Sequence, residues 1–555
     1  MSLTQPSPTA PDFRSESIPA AAAESPLPPP CAEPSGVLQG RGRARSALGA
    51  VIVIGFVALA FLKLQFSTDA IVEGDGYFHI KFSYLMSHGH GIIRKLPWLY
   101  YTIHRDSYRD HHFLQHVLYI PFTFGDLRLG AKWAAWLFAT LAVAIFYLVA
   151  ARRGRWVALI LTVVLVGSAE HFLYRMMMPR VQSMSLAMLL LTIWACDSRS
   201  PRRLAGIMFA YVWLYDGFIL GAVAVVCLVA SAWFVERRFD WRLPAWGLGG
   251  VIAGMVINPY FPGNVQSYWF NLQRAATDAQ IAVKGTGSEW LSYEAWYLLT
   301  SAATVWIAFA VGLTAVALCR RPRGTTIGLM IYAFFITALL MKARRYIEIW
   351  PPVALMFTAY AWADYWDAAT ATGAIRTPSI RRWVWTGLLA LLTLAFPRNF
   401  RAGVEMVQTS PAADYYRGAS DYLLKHAAPG TVIFNTDYDD FTRLFFYNSE
   451  NYYVVGLDQL YMSSHDMQRY IVWKSICEDP LTNPSRYIRE WFECEYVVVD
   501  RMGGRRDSFI LKANKDPNMV RVYQDKYCAV YRILPQAGAG DDSRPPTSPP
   551  NRRGT

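Results

Sequence analysis

Apolar positions along this chain gather into runs long enough, at about 1.5 Å of helix per residue, to cross a lipid bilayer. The first is Ala47 to Phe66; others cover roughly 130–150, 155–172, 181–197, 203–236, 244–260, 295–319, 324–341, 346–363 and 382–397. The 203–236 run is too long for one ordinary span. Arginines stand at both of its ends and Tyr215-Asp216-Gly217 interrupts it, which predicts two helices joined by a tight outer turn. Taken together the runs predict about eleven spans.

The flanks follow other patterns. Residues 1–45 are rich in Pro, Ala and Ser and read as a disordered tail, and residues 536–555 do the same. Between about 400 and 535, β-rich stretches (Thr431–Asn435, Tyr452–Gly456, Tyr496–Asp500, Val520–Tyr523, Cys528–Ile533) alternate with helical ones at Ala412–His426 and His465–Ile476. The expected fold is thus a polytopic α-helical membrane protein, spans in 46–399, with a C-terminal α/β domain at 400–535.

Charge decides how that domain lies. The formal net charge of +13 would suit a nucleic-acid binder, but the cations form short clusters between apolar runs, where they report topology instead. Arg41, Arg43 and Arg45 precede the first run and place the N-terminus in the cytoplasm. Arg152, Arg153 and Arg155, then Arg199, Arg202 and Arg203, then Arg237, Arg238 and Arg242, then Arg320, Arg321 and Arg323, then Arg381 and Arg382 fall on that same side. This leaves outside the loop at about 67–128, the 170–180 turn, the 260–293 loop and everything after about Phe400. A bacterial-type cytoplasmic (inner) membrane is expected. The outer 67–128 loop, rich in aromatics and histidines, suits segments lying in the membrane interface. Seven cysteines show no metal-ligand spacing; Cys477, Cys494 and Cys528 lie in the outer part, where one disulfide of unreadable pairing is possible.

Three acids sit on the outer side next to span ends: Asp75 in IVEGDGYFHIK, Glu170 in SAEHFLYR, and Glu289 in KGTGSEWLSY. Converging, they could hold one hard divalent cation, Mg²⁺ or Mn²⁺, through oxygen ligands; separately, each would pass for a turn cap or an ion-pair partner. His79 and His171 stand near two of them and could join the metal, orient a ligand or fill the interface. Cations on the side that disfavours them are the stronger signal. Lys342, Arg344 and Arg345 in LMKARRYIEIW, with Arg175 and Arg180 in YRMMMPR, suit a phosphate or pyrophosphate held by bidentate hydrogen bonds. A local ion pair with Glu348 or a lipid headgroup contact would suit them too. In the outer domain Asp437, Asp439 and Asp440 follow a strand, the usual place of a binding loop and also of solvated turn residues.

With these residues the chain resembles the polytopic glycosyltransferase C superfamily, and within it most the catalytic subunits of oligosaccharyltransferase. DGYFHIK is similar to that family's first-loop motif, GTGSEW to its small-residue motif ending in Glu, and NTDYDDF to the place of its Trp-Trp-Asp motif. The resemblance implies an extracytoplasmic transfer of a sugar or oligosaccharide from a polyprenyl-phosphate or polyprenyl-diphosphate carrier to a glycan, lipid or protein acceptor. It implies Asp75 and Glu289 as catalytic residues, a cation at Asp75, Glu170, Glu289 and His171, and an acceptor or sugar near Tyr77, His79, Asp437, Asp439 and Asp440. The chain departs from the family in having Glu170-His171 for the second-loop acid pair and Asn435-Thr436 for the tryptophans, so transfer to asparagine is not implied. A flippase for lipid-linked sugars would also want outer cations, and a non-catalytic envelope assembly protein would need no such cavity.

Overall fold

The structure, a computed structural model, describes residues 36–276, 288–371, 378–478 and 482–535. By its contacts the chain falls into two units, residues 1–50 and 51–555. The described part of the first unit is the opening of the helix Gly36–Gln65, and the elements below belong to the second.

Among the described residues four helices are long and apolar enough to cross a membrane: Ala47–Gln65, Leu127–Ala151, Phe218–Glu236 and Gly324–Lys342. The number is six if two bent pairs each count once, Arg155–Val166 with Glu170–Met177 at 85° and Ala295–Ser301 with Ala303–Leu318 at 82°. Other expected runs form shorter helices, such as Gln182–Asp197, of 16 residues, and Arg242–Val256, of 15. The 203–236 run is two helices, Pro201–Leu214 and Phe218–Glu236, broken at Tyr215-Asp216-Gly217.

Leu127–Ala151 shows why these helices belong in lipid. Asp126 caps it, accepting a hydrogen bond from the Leu129 amide at 2.9 Å. Its buried face is small, with Ala131, Ala134, Ala135, Ala139 and Ala142, while Trp133, Leu137, Leu141 and Leu148 are exposed. A helix in water would bury the leucines; in a bilayer close backbone packing on small residues is the available gain. The helices Pro201–Leu214 and Arg242–Val256 use the same device, since a Cβ at Gly250 would stand 2.2 Å from the Ala205 carbonyl oxygen.

The C-terminal part is built differently. Strands β1 (Val432–Asn435), β2 (Tyr452–Tyr453), β3 (Tyr496–Asp500), β4 (Met519–Gln524) and β5 (Cys528–Ile533) form a mixed sheet in the order β2-β1-β3-β5-β4. β1 runs parallel to β2 and β3; β5 is antiparallel to β3 and β4. Ile433, Val498 and Val530 bury one face of this sheet and Phe434, Val497, Val499 and Tyr531 the other, the alternation of a soluble core. Cys477, Cys494 and Cys528 are buried free thiols, so the disulfide allowed by the sequence is absent among the described residues.

Two contacts join this sheet to the outer loop of the helical part. Tyr100 donates to the Tyr453 carbonyl at 2.8 Å and Tyr453 to that of Trp98 at 2.9 Å, which adds the loop to the β2 edge. The helix Asp440–Tyr447 packs on the helix Asp75–Leu85. The 67–128 loop is therefore largely an inner layer: Trp98, Tyr101, Tyr108 and His116 are buried where the sequence suggested a membrane interface.

Candidate active site

The Asp75–Leu85 helix begins with Asp75 in its first turn because the glycines around it allow two close approaches. A Cβ on Gly76 would lie 2.8 Å from Pro179 Cγ, so the helix start rests against the segment that carries Arg180. A Cβ on Gly74 would stand 3.3 Å from Thr442 Oγ1 in the C-terminal part. The result is an ion-pair cluster: Arg180 lies 3.2 Å from Asp75 Oδ2 and 3.7 Å from Glu73 Oε2. Glu73 has a left-handed backbone (φ 69°), and its carboxylate accepts the Asp75 amide at 2.9 Å. Glu73 is a site residue that sequence reasoning missed, although the spacing Glu-Gly-Asp stood in view.

Asp75 and Arg180 line a cavity of about 810 Å³, and Glu289, Arg175, Arg344 and Arg345 line it too. Arg345 donates to the Tyr215 hydroxyl at 2.6 Å, lies over the Trp290 ring at 4.3 Å, and has Glu289 Oε1 3.9 Å away. Arg175 donates to Glu348 Oε2 at 2.6 Å and to Glu289 Oε2 at 3.2 Å. Glu289 is therefore a strut between two guanidinium groups. Burial would raise its carboxyl, but Arg345, then Arg175 and Arg180, outweigh burial and hold it well below the usual carboxylate range.

The acid side behaves in the opposite way. Burial and then Asp75 push Glu73 up to about 7, against the pull of Arg180. Enclosure by the cavity wall, then Asp437, Asp75 and Glu73, pushes Asp439 up to about 8. Asp439 thus joins the acid side from the far C-terminal part, as the field of Asp75 upon it requires.

Several expected residues do not reach this cavity. Lys342 is exposed at the end of its helix and does not line it. Tyr77 is buried against Phe446, in an edge contact at 5.1 Å, with Arg443 5.0 Å from its ring, so a sugar has no access to it. Asp437 is taken by Arg506 at 2.7 Å, and Asp440 accepts the Asp437 amide and is buried. Phe441, Phe445 and Tyr453 are buried core residues. His79 and His171 do line the cavity.

The three-carboxylate cation site is not assembled. Glu170 accepts the Tyr297 hydroxyl, whose oxygen also lies 2.9 Å from His171 Nδ1, and it does not line the cavity. Asp75 is held by Arg180 and Glu289 by Arg175 and Arg345. Among the described residues no group of three or more His, Cys, Asp or Glu side chains is gathered to hold a metal. Each of the three acids expected to hold Mg²⁺ or Mn²⁺ is drawn to a different partner.

No protein-family model and no curated protein sequence matches the chain. Solved structures do. The chain is similar to the apo oligosaccharyltransferase of Archaeoglobus fulgidus at a TM-score of 0.59 and 12% identity, over 81% of this chain and 69% of that one. It is similar to ArnT from Cupriavidus metallidurans bound to undecaprenyl phosphate at 0.54 and 16%, over 88% of this chain and 100% of ArnT. This is the glycosyltransferase C fold. The arabinofuranosyltransferase AftD from mycobacteria shares it at 0.52 and 12%, over 88% of this chain and 40% of AftD. The Archaeoglobus oligosaccharyltransferase has also been solved with Zn and sulfate. At these identities the likeness establishes the fold alone, and the chemistry has to be argued from the cavity.

Proposed function

We propose that this chain is a membrane glycosyltransferase moving a sugar or oligosaccharide from a polyprenyl-phosphate or polyprenyl-diphosphate carrier to an acceptor outside a bacterial-type cytoplasmic membrane. One observation carries the proposal: a single cavity has Arg175, Arg344 and Arg345 on its lining together with Glu73, Asp75 and Asp439. Guanidinium groups already in position meet a leaving phosphate at no reorganisation cost, and the charge that phosphate gains as the glycosidic bond breaks is what they stabilise. Arg180, whose field reaches both Asp75 and Glu289, ties the two sides together.

In this proposal Asp75 binds and polarises the acceptor hydroxyl, and Glu289 acts by clamping Arg175 and Arg345 rather than by holding a cation. The ArnT structure carries undecaprenyl phosphate, which supports a carrier of that chemical class. The proposed organisation is a cytoplasmic tail at 1–45, about eleven spans within 46–399, an extracytoplasmic α/β domain at 400–535 and a tail at 536–555.

The test is mass spectrometry of isoprenoid carriers and envelope glycans in a strain lacking the gene. A sugar-loaded carrier should accumulate, be cleared by the intact gene, and persist with D75A at normal membrane levels of protein. Clearance by D75A would reject the role of Asp75, and no accumulating carrier would reject the transferase.

A further inference from the structure

Behind His79 the fold buries a chain of hydrogen bonds that the transfer reaction as described does not use. His79 Nδ1 lies 2.8 Å from His116 Nε2, and His116 Nδ1 lies 2.6 Å from Asp110 Oδ2. The other Asp110 oxygen, Oδ1, accepts the His112 amide at 2.9 Å. Side chains 79, 110 and 116 are all at least nine-tenths buried, and the His79 ring lines the cavity.

The direction of this chain follows from its far end. A carboxylate only accepts, so a neutral His116 in this chain carries its proton on Nδ1 and presents a lone pair at Nε2. His79 must then donate from Nδ1, which leaves its Nε2 as the lone pair available to the cavity. We propose that His79 is the group that takes the proton of the acceptor hydroxyl during transfer, oriented by His116 and Asp110. This rests on the transferase proposal and extends it.

The step balances. The acceptor oxygen uses a lone pair to bond the anomeric carbon as the bond from that carbon to the phosphate oxygen breaks, and the phosphate keeps the bonding pair. The acceptor proton moves to His79 Nε2 and afterwards leaves to water. Burial first, then His116, Arg180 and His111, lowers the basicity of His79 and keeps it neutral at rest; the His112 ring also packs edge-on against it at 5.1 Å. A weak base suffices because the acceptor hydroxyl becomes strongly acidic once it begins to bond an electron-poor carbon. Asp110, at the end of the chain, stabilises the imidazolium that forms.

The test is D110N. An amide at 110 can donate to His116 Nδ1, which reverses both hydrogen bonds and gives His79 an N–H where it had a lone pair. In the deletion strain D110N and H79Q should each clear the accumulated sugar-loaded carrier at least about 100-fold more slowly than the intact gene. ¹⁵N NMR of the full-length, histidine-labelled protein in lipid nanodiscs, with H79Q to assign the signal, should show an unprotonated Nε2 at His79. A protonated Nε2, or clearance by D110N at the normal rate, would overturn the relay. If the intact gene and an empty vector leave the carrier alike, the transferase has failed instead, and the NMR signal still decides the direction of the chain.

Discussion

The two sides of the cavity are charged by opposite strategies. On the guanidinium side each functional cation already has a fixed partner: Arg175 has Glu348 and Glu289, and Arg345 has Tyr215 and Glu289. Those partners are themselves unambiguous, with Glu289 ionised far below neutrality. On the acid side Glu73 and Asp75 share Arg180 while Asp439 lines the same cavity, and the pKa values of Glu73 and Asp439 rise to about 7 and about 8. One side is preorganised and indifferent to pH; the other adjusts its protonation to what enters. This division suits a donor whose phosphate is always anionic and an acceptor that arrives neutral and leaves without a proton.

The sharpest way to break this contrast is to remove the central cation. R345A should lower transfer about 10³-fold, measured as carrier clearance in membranes. R345K should recover little, because an ammonium supplies neither the planar contact with Trp290 nor a forked donor set. A fully active R345K would show that the site wants only a point charge.

E289Q comes next. It keeps the shape of the strut and removes its charge, leaving Arg175 with Glu348 alone and Arg345 with Tyr215 alone. Transfer should fall about 10²-fold. Melting of the detergent-solubilised protein should show roughly 3 kcal/mol of lost stability, the scale of breaking a buried ion pair by deleting one partner. Were Glu289 a cation ligand instead, excess Mg²⁺ or Mn²⁺ would partly rescue E289D, and no rescue is expected.

How much of this was legible depended on the distance over which each feature is encoded. The apolar runs, the break at Tyr215-Asp216-Gly217 and all five strands follow from local periodicity and from turn residues. Asp75, Arg180, Glu289 and Arg345 were visible because each stands at a span end where its charge is anomalous. Of their partners only Glu348 was visible, as a possible ion pair for the cations near it. Tyr297 takes Glu170 across more than a hundred residues, and Glu348 takes Arg175 across a still longer separation. Three acids at three loop ends look the same in sequence whether they meet at one metal or are each claimed by a different neighbour. Asp110 and His116, six residues apart in a histidine-rich loop, gave no local sign that they would be buried in series behind His79.

The acid side predicts a pH signature. The folded protein holds a proton on Glu73 up to about pH 7, whereas the unfolded chain loses it near the ordinary value of 4.5. The folded state therefore binds more protons across that window, so stability falls as pH rises through it and levels off above. E73Q should flatten the decline in melting temperature between pH 5 and pH 8 and stabilise the protein at pH 8 by roughly 1–3 kcal/mol. D439N should act in the same direction and less, since Asp439 opens to cavity water that screens it. A decline unchanged in E73Q would mean that Arg180 neutralises Glu73 outright, and the acid side would then be as fixed as the other.

The smallest expected effect marks where the guanidinium side ends. Lys342, Arg344 and Arg345 look like one basic cluster in sequence, but the helix Gly324–Lys342 stops between them and Ala343 continues in an extended conformation. Arg344 then turns inward, with its backbone amide on the Leu291 carbonyl at 2.9 Å and its Nε on that of Ser292 at 3.1 Å. Lys342 stays on the exposed flank of the helix end, outside the cavity lining. K342A should therefore slow carrier clearance no more than about fivefold, the scale of a screened surface charge of 0.2–1 kcal/mol, and raised salt should erase the difference. R344A, one helical break away, should exceed that by an order of magnitude and persist in salt. Equal effects from the two substitutions would mean that the phosphate lies along the helix end rather than in the cavity, and the guanidinium side would have to be redrawn around Lys342.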